Sequence, residues 1–180
     1  MKFDYQWVKD PTIFAVNRLA AHSDHKFFKD DQKKWEDFRY SLNGLWYFNW
    51  ARSYHESIKG FEAADYDCHG WGTIHVPGHM QLQGHDVPHY VNVVYPWDGH
   101  EDIMPGEIPE NFNPVGCYVR YVRIPLSMKG HPVYISFQGV ESAFALFVNG
   151  DFVGYSEDSF TPSEFELTPY LQDGENKISV

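Results

Sequence analysis

Ala143-Phe144-Ala145-Leu146-Phe147-Val148-Asn149-Gly150-Asp151-Phe152-Val153-Gly154-Tyr155-Ser156 is the stretch on which the fold turns. Two apolar runs flank Asn149-Gly150, and an Asn-Gly pair in that setting is the strongest short hairpin signal, because both turn residues take positive φ. A hairpin over 143–155 then delivers the segment Ser156 to Glu164 to one rim of a β-structure. That segment carries Glu157, Asp158, Ser159, Thr161, Ser163 and Glu164, all of which offer oxygen. Oxygen-rich loops on a rigid sheet suit polyol ligands and hard cations.

Working outward, more short strands emerge. Leu45, Tyr47 and Asn49 alternate with Trp46, Phe48 and Trp50, so both faces of that strand are largely apolar and expected to be covered. Gly72 to Pro77 and Cys117 to Pro125 read as strands. Val133, Ile135 and Phe137 alternate with Tyr134, Ser136 and Gln138, which predicts a half-buried strand. Asp173-Gly174 turns the chain into a last strand at Lys177 to Val180. Short strands at close spacing with turns between them predict an all-β sandwich or jelly roll over residues 41–180. Residues 1–40 are polar and read as an extended N-terminal arm, with a short helix expected over Asp30 to Arg39. Residues 51–70 read as a loop or a poorly patterned helix, and Pro88 to Pro114 is a long irregular loop of the kind that serves function or rests on a neighbour. The final strand has no later segment to pair with, and domains rarely stop on an open edge. The pattern therefore predicts a domain cut before its last strands, with more chain to follow.

The length suffices for a domain with a real core, and 43% hydrophobic against 22% charged residues is globular rather than disordered. A net charge of −11 argues against nucleic acid, which needs a basic footprint, and against anionic membrane surfaces. No apolar run approaches a membrane span, and the N-terminus has no secretory h-region. These features predict a cytoplasmic protein. Cys68 and Cys117 lie outside any C-x-x-C pair. They can form one disulfide, but free buried thiols are the default for such a chain.

Residues patterned for chemistry are sparse. His75, His79, His85 and His89 make two H-x-x-x-H spacings, but Pro77, Gly78, Gly84 and Pro88 rule out the helix that would align them for zinc. There is no G-x-S-x-G and no glycine-rich phosphate loop. Glycoside hydrolysis needs two opposed carboxylates, and neighbours in sequence such as Glu157, Asp158, Glu164 and Glu166 do not supply that separation. A solvated acidic loop and a cation site built on Asp158 both stay open. Asn92, in Tyr90-Val91-Asn92-Val93-Val94-Tyr95-Pro96, offers donors and an acceptor to a hydroxyl. It is equally readable as a turn residue.

Six stretches in order carry a resemblance. They are Val16-Asn17-Arg18-Leu19 with Ala21-His22; Ser41-Leu42-Asn43-Gly44 with Trp46; Val76-Pro77; Tyr90 to Pro96; Asn113-Pro114-Val115-Gly116-Cys117-Tyr118; and Gly139-Val140-Glu141-Ser142-Ala143 through Asn149-Gly150 to Ser156-Glu157-Asp158-Ser159, then Pro162-Ser163-Glu164-Phe165. Together they resemble the N-terminal sugar-binding domain of bacterial β-galactosidases of glycoside hydrolase family 2. The resemblance implies a galactose-binding-domain-like jelly roll preceding immunoglobulin-like domains and a TIM-barrel catalytic domain. It implies a retaining hydrolase of terminal β-D-galactosides such as lactose, whose two catalytic glutamates lie beyond residue 180, so this piece alone is expected to be inactive. Asn92 and Asp158 take the positions of residues that hydrogen-bond galactose hydroxyls, and Asp158 also that of a sodium contact. Sodium and magnesium are implied for the whole enzyme. The magnesium ligands are left unassigned, because the residues around Asp10-Pro11 diverge. The implied partners are a β-galactoside, the remaining domains and either a homo-oligomer or a large-and-small-subunit pair. A stand-alone carbohydrate-binding module, and a β-glucuronidase or β-mannosidase relative, are the alternatives.

Overall fold

A computed structural model describes residues 1–23, 38–88 and 92–180. Nine strands form two antiparallel sheets: β1 Ala15–Val16, β2 Gly44–Ala51, β3 Gly72–Val76, β4 Val115–Arg123, β5 Tyr134–Phe137, β6 Ala143–Val148, β7 Asp151–Glu157, β8 Ser163–Glu166 and β9 Glu175–Ser179. The large sheet runs β1-β7-β6-β9-β4-β2-β3, and β5 pairs with β8 in the small one. This is the all-β jelly-roll sandwich expected from the strand spacing. The helix expected over Asp30 to Arg39 falls outside the described residues but for its last two positions.

The β6–β7 hairpin forms as its turn pair dictates, with Asn149 at φ 53° and Gly150 at φ 91°. A bulge between Leu146 and Phe147 shifts the register, so Leu146 opposes Gly154 while Phe147 opposes Phe152. The extra residue turns Val153 inward, into the core with Phe144, Leu146 and Val148. Gly154 also faces this side. A Cβ there would stand 2.4 Å from Phe165 of β8 and 2.8 Å from the Val16 carbonyl oxygen. Its missing side chain lets the small sheet close onto the large one. Trp46, Phe48, Ile74, Val122, Ile135 and Ile178 complete the core between the sheets.

The other face of the large sheet is covered too, as the two-sided apolar pattern of β2 requires. Over β6 and β7 the arm lays an aromatic cluster: Phe3 meets Phe147, Phe152 and Tyr155, and Trp7 meets Phe152 and Tyr155. Over β4 and β9 the segment after β2 folds back, and the Cys68 amide donates to the Tyr121 hydroxyl at 3.1 Å. Cys68 and Cys117 are buried free thiols. The arm also adds β1 to the edge of β7.

The last strand corrects one expectation. β9 is not an open edge: it lies inside the sheet, paired with β4 on one side and β6 on the other, and Val180 exchanges two backbone bonds with Tyr118. Its partners come earlier in the chain, which a search for a following strand overlooks.

Register fixes which loops share a rim. Phe152, Phe147, Ser179, Val119 and Tyr47 form one row across β7, β6, β9, β4 and β2. From that row Glu157, Ala143, Val115 and Ala51 all lie toward the same end. β3 and β4 are both antiparallel to β2, so the connection between them starts at the opposite end, after Val76, and must return the length of the sheet to reach Val115. This is the long irregular loop foreseen over Pro88 to Pro114. Glu101 clamps its return, accepting from the amides of Glu110, Asn111 and Phe112 and from the Asn111 side chain.

Candidate functional site

The rim that receives the end of β7 holds the polar loop, which is shorter than its sequence suggests. Ser156 and Glu157 finish β7, and Ser163 and Glu164 begin β8, leaving residues 158–162 as the loop proper. Ser156 and Ser163 are not ligand-facing oxygens. Both are buried, and their hydroxyls bond each other at 2.8 Å, closing the base of the loop. The reason is that the chain crosses from one sheet to the other here, and two small hydroxyls can satisfy each other where the sheets meet.

The arm braces this base. Arg18 donates to the Ser156 hydroxyl at 2.9 Å and to the Glu157 carbonyl at 3.3 Å. Glu157 donates its amide to the Phe14 carbonyl, Leu19 donates its amide to the Glu164 carbonyl, and the Asn17 amide group reaches the Val153 carbonyl at 2.8 Å. His22 pairs with the Glu164 carboxylate. Arg18 was visible in the sequence only as part of a motif; that it bridges the arm to the loop depends on contacts 138 and 139 residues apart.

Asp158 stands exposed at the head of the loop with φ 95°, a left-handed backbone that few residues other than glycine adopt. Short polar side chains tolerate that region because they bond their own backbone. Here Oδ1 accepts from the Phe160 amide at 3.0 Å and Oδ2 accepts from the Thr161 hydroxyl. The Thr161 hydroxyl bond, then the Phe160 amide and, more weakly, the positive charge of Arg18, hold the carboxyl below its ordinary pKa. Asp158 is therefore a fixed anion. Both of its oxygens are engaged inside the loop, while the residue itself stays exposed. Phe160, next to it, is 93% exposed.

Asn92 sits exposed at a bend of the long loop. The fold thus places Asp158 at the rim and Asn92 on the segment that returns to the same rim at Val115. Tyr95 and Trp97 stack on each other with centroids 4.9 Å apart. Tyr95 stays exposed. Of the histidines in the two H-x-x-x-H spacings, His75 lies in β3 and His79 caps the short 3-10 turn Met80–Gln83. His89 falls outside the described residues. Among the described residues no group of three or more His, Cys, Asp or Glu is placed to hold a metal. Asp158 can offer a hard cation one carboxylate, well short of the six or more oxygens such ions take. The residues present fit a single ligand of a shared site. Asp10, beside the position left unassigned for magnesium, has Oδ1 engaged by the Thr12 amide and hydroxyl.

The family model for the sugar binding domain of glycosyl hydrolases family 2 matches residues 39–180. The chain belongs to this family. It is 53% identical to a β-galactosidase of Halalkalibacterium halodurans over 97% of its own length and 18% of that protein's. It is 47% identical to a β-galactosidase of Clostridium acetobutylicum over 97% of its length and 20% of that protein's. A β-galactosidase large subunit of Leuconostoc lactis is 42% identical over the whole chain and 31% of the relative. The chain thus spans between about a fifth and a third of these relatives. Among solved structures, a family 2 member from Bacteroides cellulosilyticus superposes with a TM-score of 0.53 at 22% identity, over 78% of this chain and 17% of that one. A β-glycosidase from Bacteroides vulgatus does so at 0.54 and 23%, over 77% of this chain and 16% of that one. At such identities the superpositions speak for the fold alone.

Proposed function

We propose that this chain is the sugar-binding N-terminal domain of a β-galactosidase that hydrolyses terminal β-D-galactosides, lactose among them, with retention. The observation that carries the reading is the identity to β-galactosidases, 53% in one case, across 97% of the chain. The rim geometry supports it. Asp158 is an anchored carboxylate that stays exposed, and Asn92 is an exposed amide on a loop that comes back to that rim. Hydroxyl recognition needs such groups, and a site built to bond hydroxyls discriminates against substrates lacking them. In this reading both residues position the galactose ring, and holding a ring in reactive geometry can lower the barrier substantially. The acid and nucleophile come from elsewhere in the complete protein, since glycoside hydrolysis needs a carboxylate pair set across the scissile bond.

Sodium, if bound, would take one oxygen from Asp158 and supply positive charge that orients sugar hydroxyls. Magnesium belongs to the complete enzyme without a ligand named on this chain. Val93, Tyr95, Met104 and Phe160 are exposed on the long loop and at the rim, and apolar surface of that kind suits cover by the rest of the polypeptide or a small subunit. A homo-oligomer and a cytoplasmic setting complete the proposal. No helix among the described residues is long and apolar enough to cross a membrane.

The test is to assay the complete protein on a chromogenic β-galactoside with wild-type and Asp158→Ala forms. Asp158→Ala should lower kcat/KM roughly a hundredfold, the scale of losing hydrogen bonds from a charged group, in protein that is still folded at the assay temperature. Unchanged kinetics would remove Asp158 from the site.

A further inference from the structure

We infer that Thr161 is a positioning residue for Asp158: its hydroxyl fixes the rotation of this exposed carboxylate at the rim. This inference rests on the reading of Asp158 as a sugar contact. The base of the loop is already rigid, through the buried Ser156–Ser163 bond and the Arg18 bridge. The Ser159 carbonyl lies against Gly139, where a Cβ would come within 3.1 Å of it. Pro162 fixes its own φ and disfavours helical backbone at the preceding Thr161, which limits the conformations open to the threonine. What is left to fix is rotation of the carboxylate. The Phe160 amide holds Oδ1 at 3.0 Å, and the Thr161 amide adds a weaker backbone contact. The Thr161 hydroxyl on Oδ2 supplies a side-chain restraint at the second oxygen.

Backbone geometry makes the second point matter. With φ 95° Asp158 departs from the line of β7, so its side chain gets no support from strand neighbours. These restraints come from within three residues downstream, and the Thr161 hydroxyl is the one that a side-chain substitution deletes without touching the backbone.

The experiment is a double-mutant cycle in the complete protein, read as kcat and KM on a chromogenic β-galactoside. Thr161→Val keeps the shape and loses the hydroxyl; kcat/KM should fall roughly tenfold, the scale of one hydrogen bond to a charged group. Thr161→Ser restores the donor and should stay within about twofold of wild type, and in an Asp158→Ala background Thr161→Val should add nothing, because the threonine acts only through the aspartate. If Asp158→Ala is as active as wild type, the sugar-contact reading falls and this inference with it. If Asp158→Ala is impaired but Thr161→Val is not, the reading stands and the inference is overturned. A loss with Thr161→Ser equal to that with valine, or a further loss in the Asp158→Ala background, would equally overturn it.

Discussion

The two ends of the β6–β7 hairpin use polar side chains in opposite ways. At the turn end, Lys177 is only 3% exposed, and its ammonium donates to the carbonyls of Phe61, Ala63 and Tyr66 at 2.6, 2.8 and 2.7 Å. Beside it Asn149 bonds the Tyr170 carbonyl, Asn176 and the Lys177 amide, while Asn176 bonds the Gln172 backbone from both sides. All three Lys177 donors are spent inside the protein. At the rim end, Asp158 and Thr161 are exposed and their bonds only orient the carboxylate. At the turn end the polar groups are buried and bonded on every side; at the rim end the carboxylate is anchored from within its loop and stays exposed. Burial is what forces saturation, since an unpaired polar group costs far more away from water.

Substitutions should break this contrast in graded order. Lys177→Met strands three carbonyls under the covering segment and should cost about 3–5 kcal/mol in urea unfolding, as expected when one partner of a buried charged network is removed. A cost under 1 kcal/mol would mean the turn-end network is ornamental. Gly154→Ala drives a methyl into Phe165 and the Val16 carbonyl and should cost about 2–3 kcal/mol by overpacking. A neutral result would show that the two sheets are not tightly seated there.

Burial pushes the Cys117 thiol up to about 12, well above its usual range. Because the folded pKa is the higher one, Cys117 contributes stability that is complete below about pH 8.5 and is lost as pH rises toward 12. Cys117→Ser should flatten the alkaline limb of the stability profile, and native protein should resist alkylation at neutral pH. Rapid labelling of Cys117 in folded protein would contradict its burial. Smallest of all, Asp158→Asn, which keeps a short polar side chain suited to φ 95°, should change unfolding free energy by no more than about 0.5 kcal/mol. A large loss there would erase the distinction between the two ends.

Much of this was legible in one dimension. Asn149-Gly150 announced its hairpin because a turn is a local matter of φ. The apolar alternation of β2 announced cover on both faces. Asp158 and Asn92 stood out through motif and chemistry. The limits of the rim loop were misjudged, because serine reads as loop in sequence and only the meeting of two sheets makes Ser156 and Ser163 interior. The final strand was misread as an edge, because pairing between β9 and β4 or β6 leaves no trace in neighbouring residues.

The sequence by itself determined the strands, the turn and the family, since these rest on local propensity and on residue identity along the chain. Tertiary structure alone decided that Lys177 is a buried lock and that Arg18 braces a loop far from it in sequence. It also decided that Thr161 holds an aspartate in place. Each of those roles depends on which carbonyls, hydroxyls and rings arrive beside a side chain once the sheets have closed, and register and packing set that.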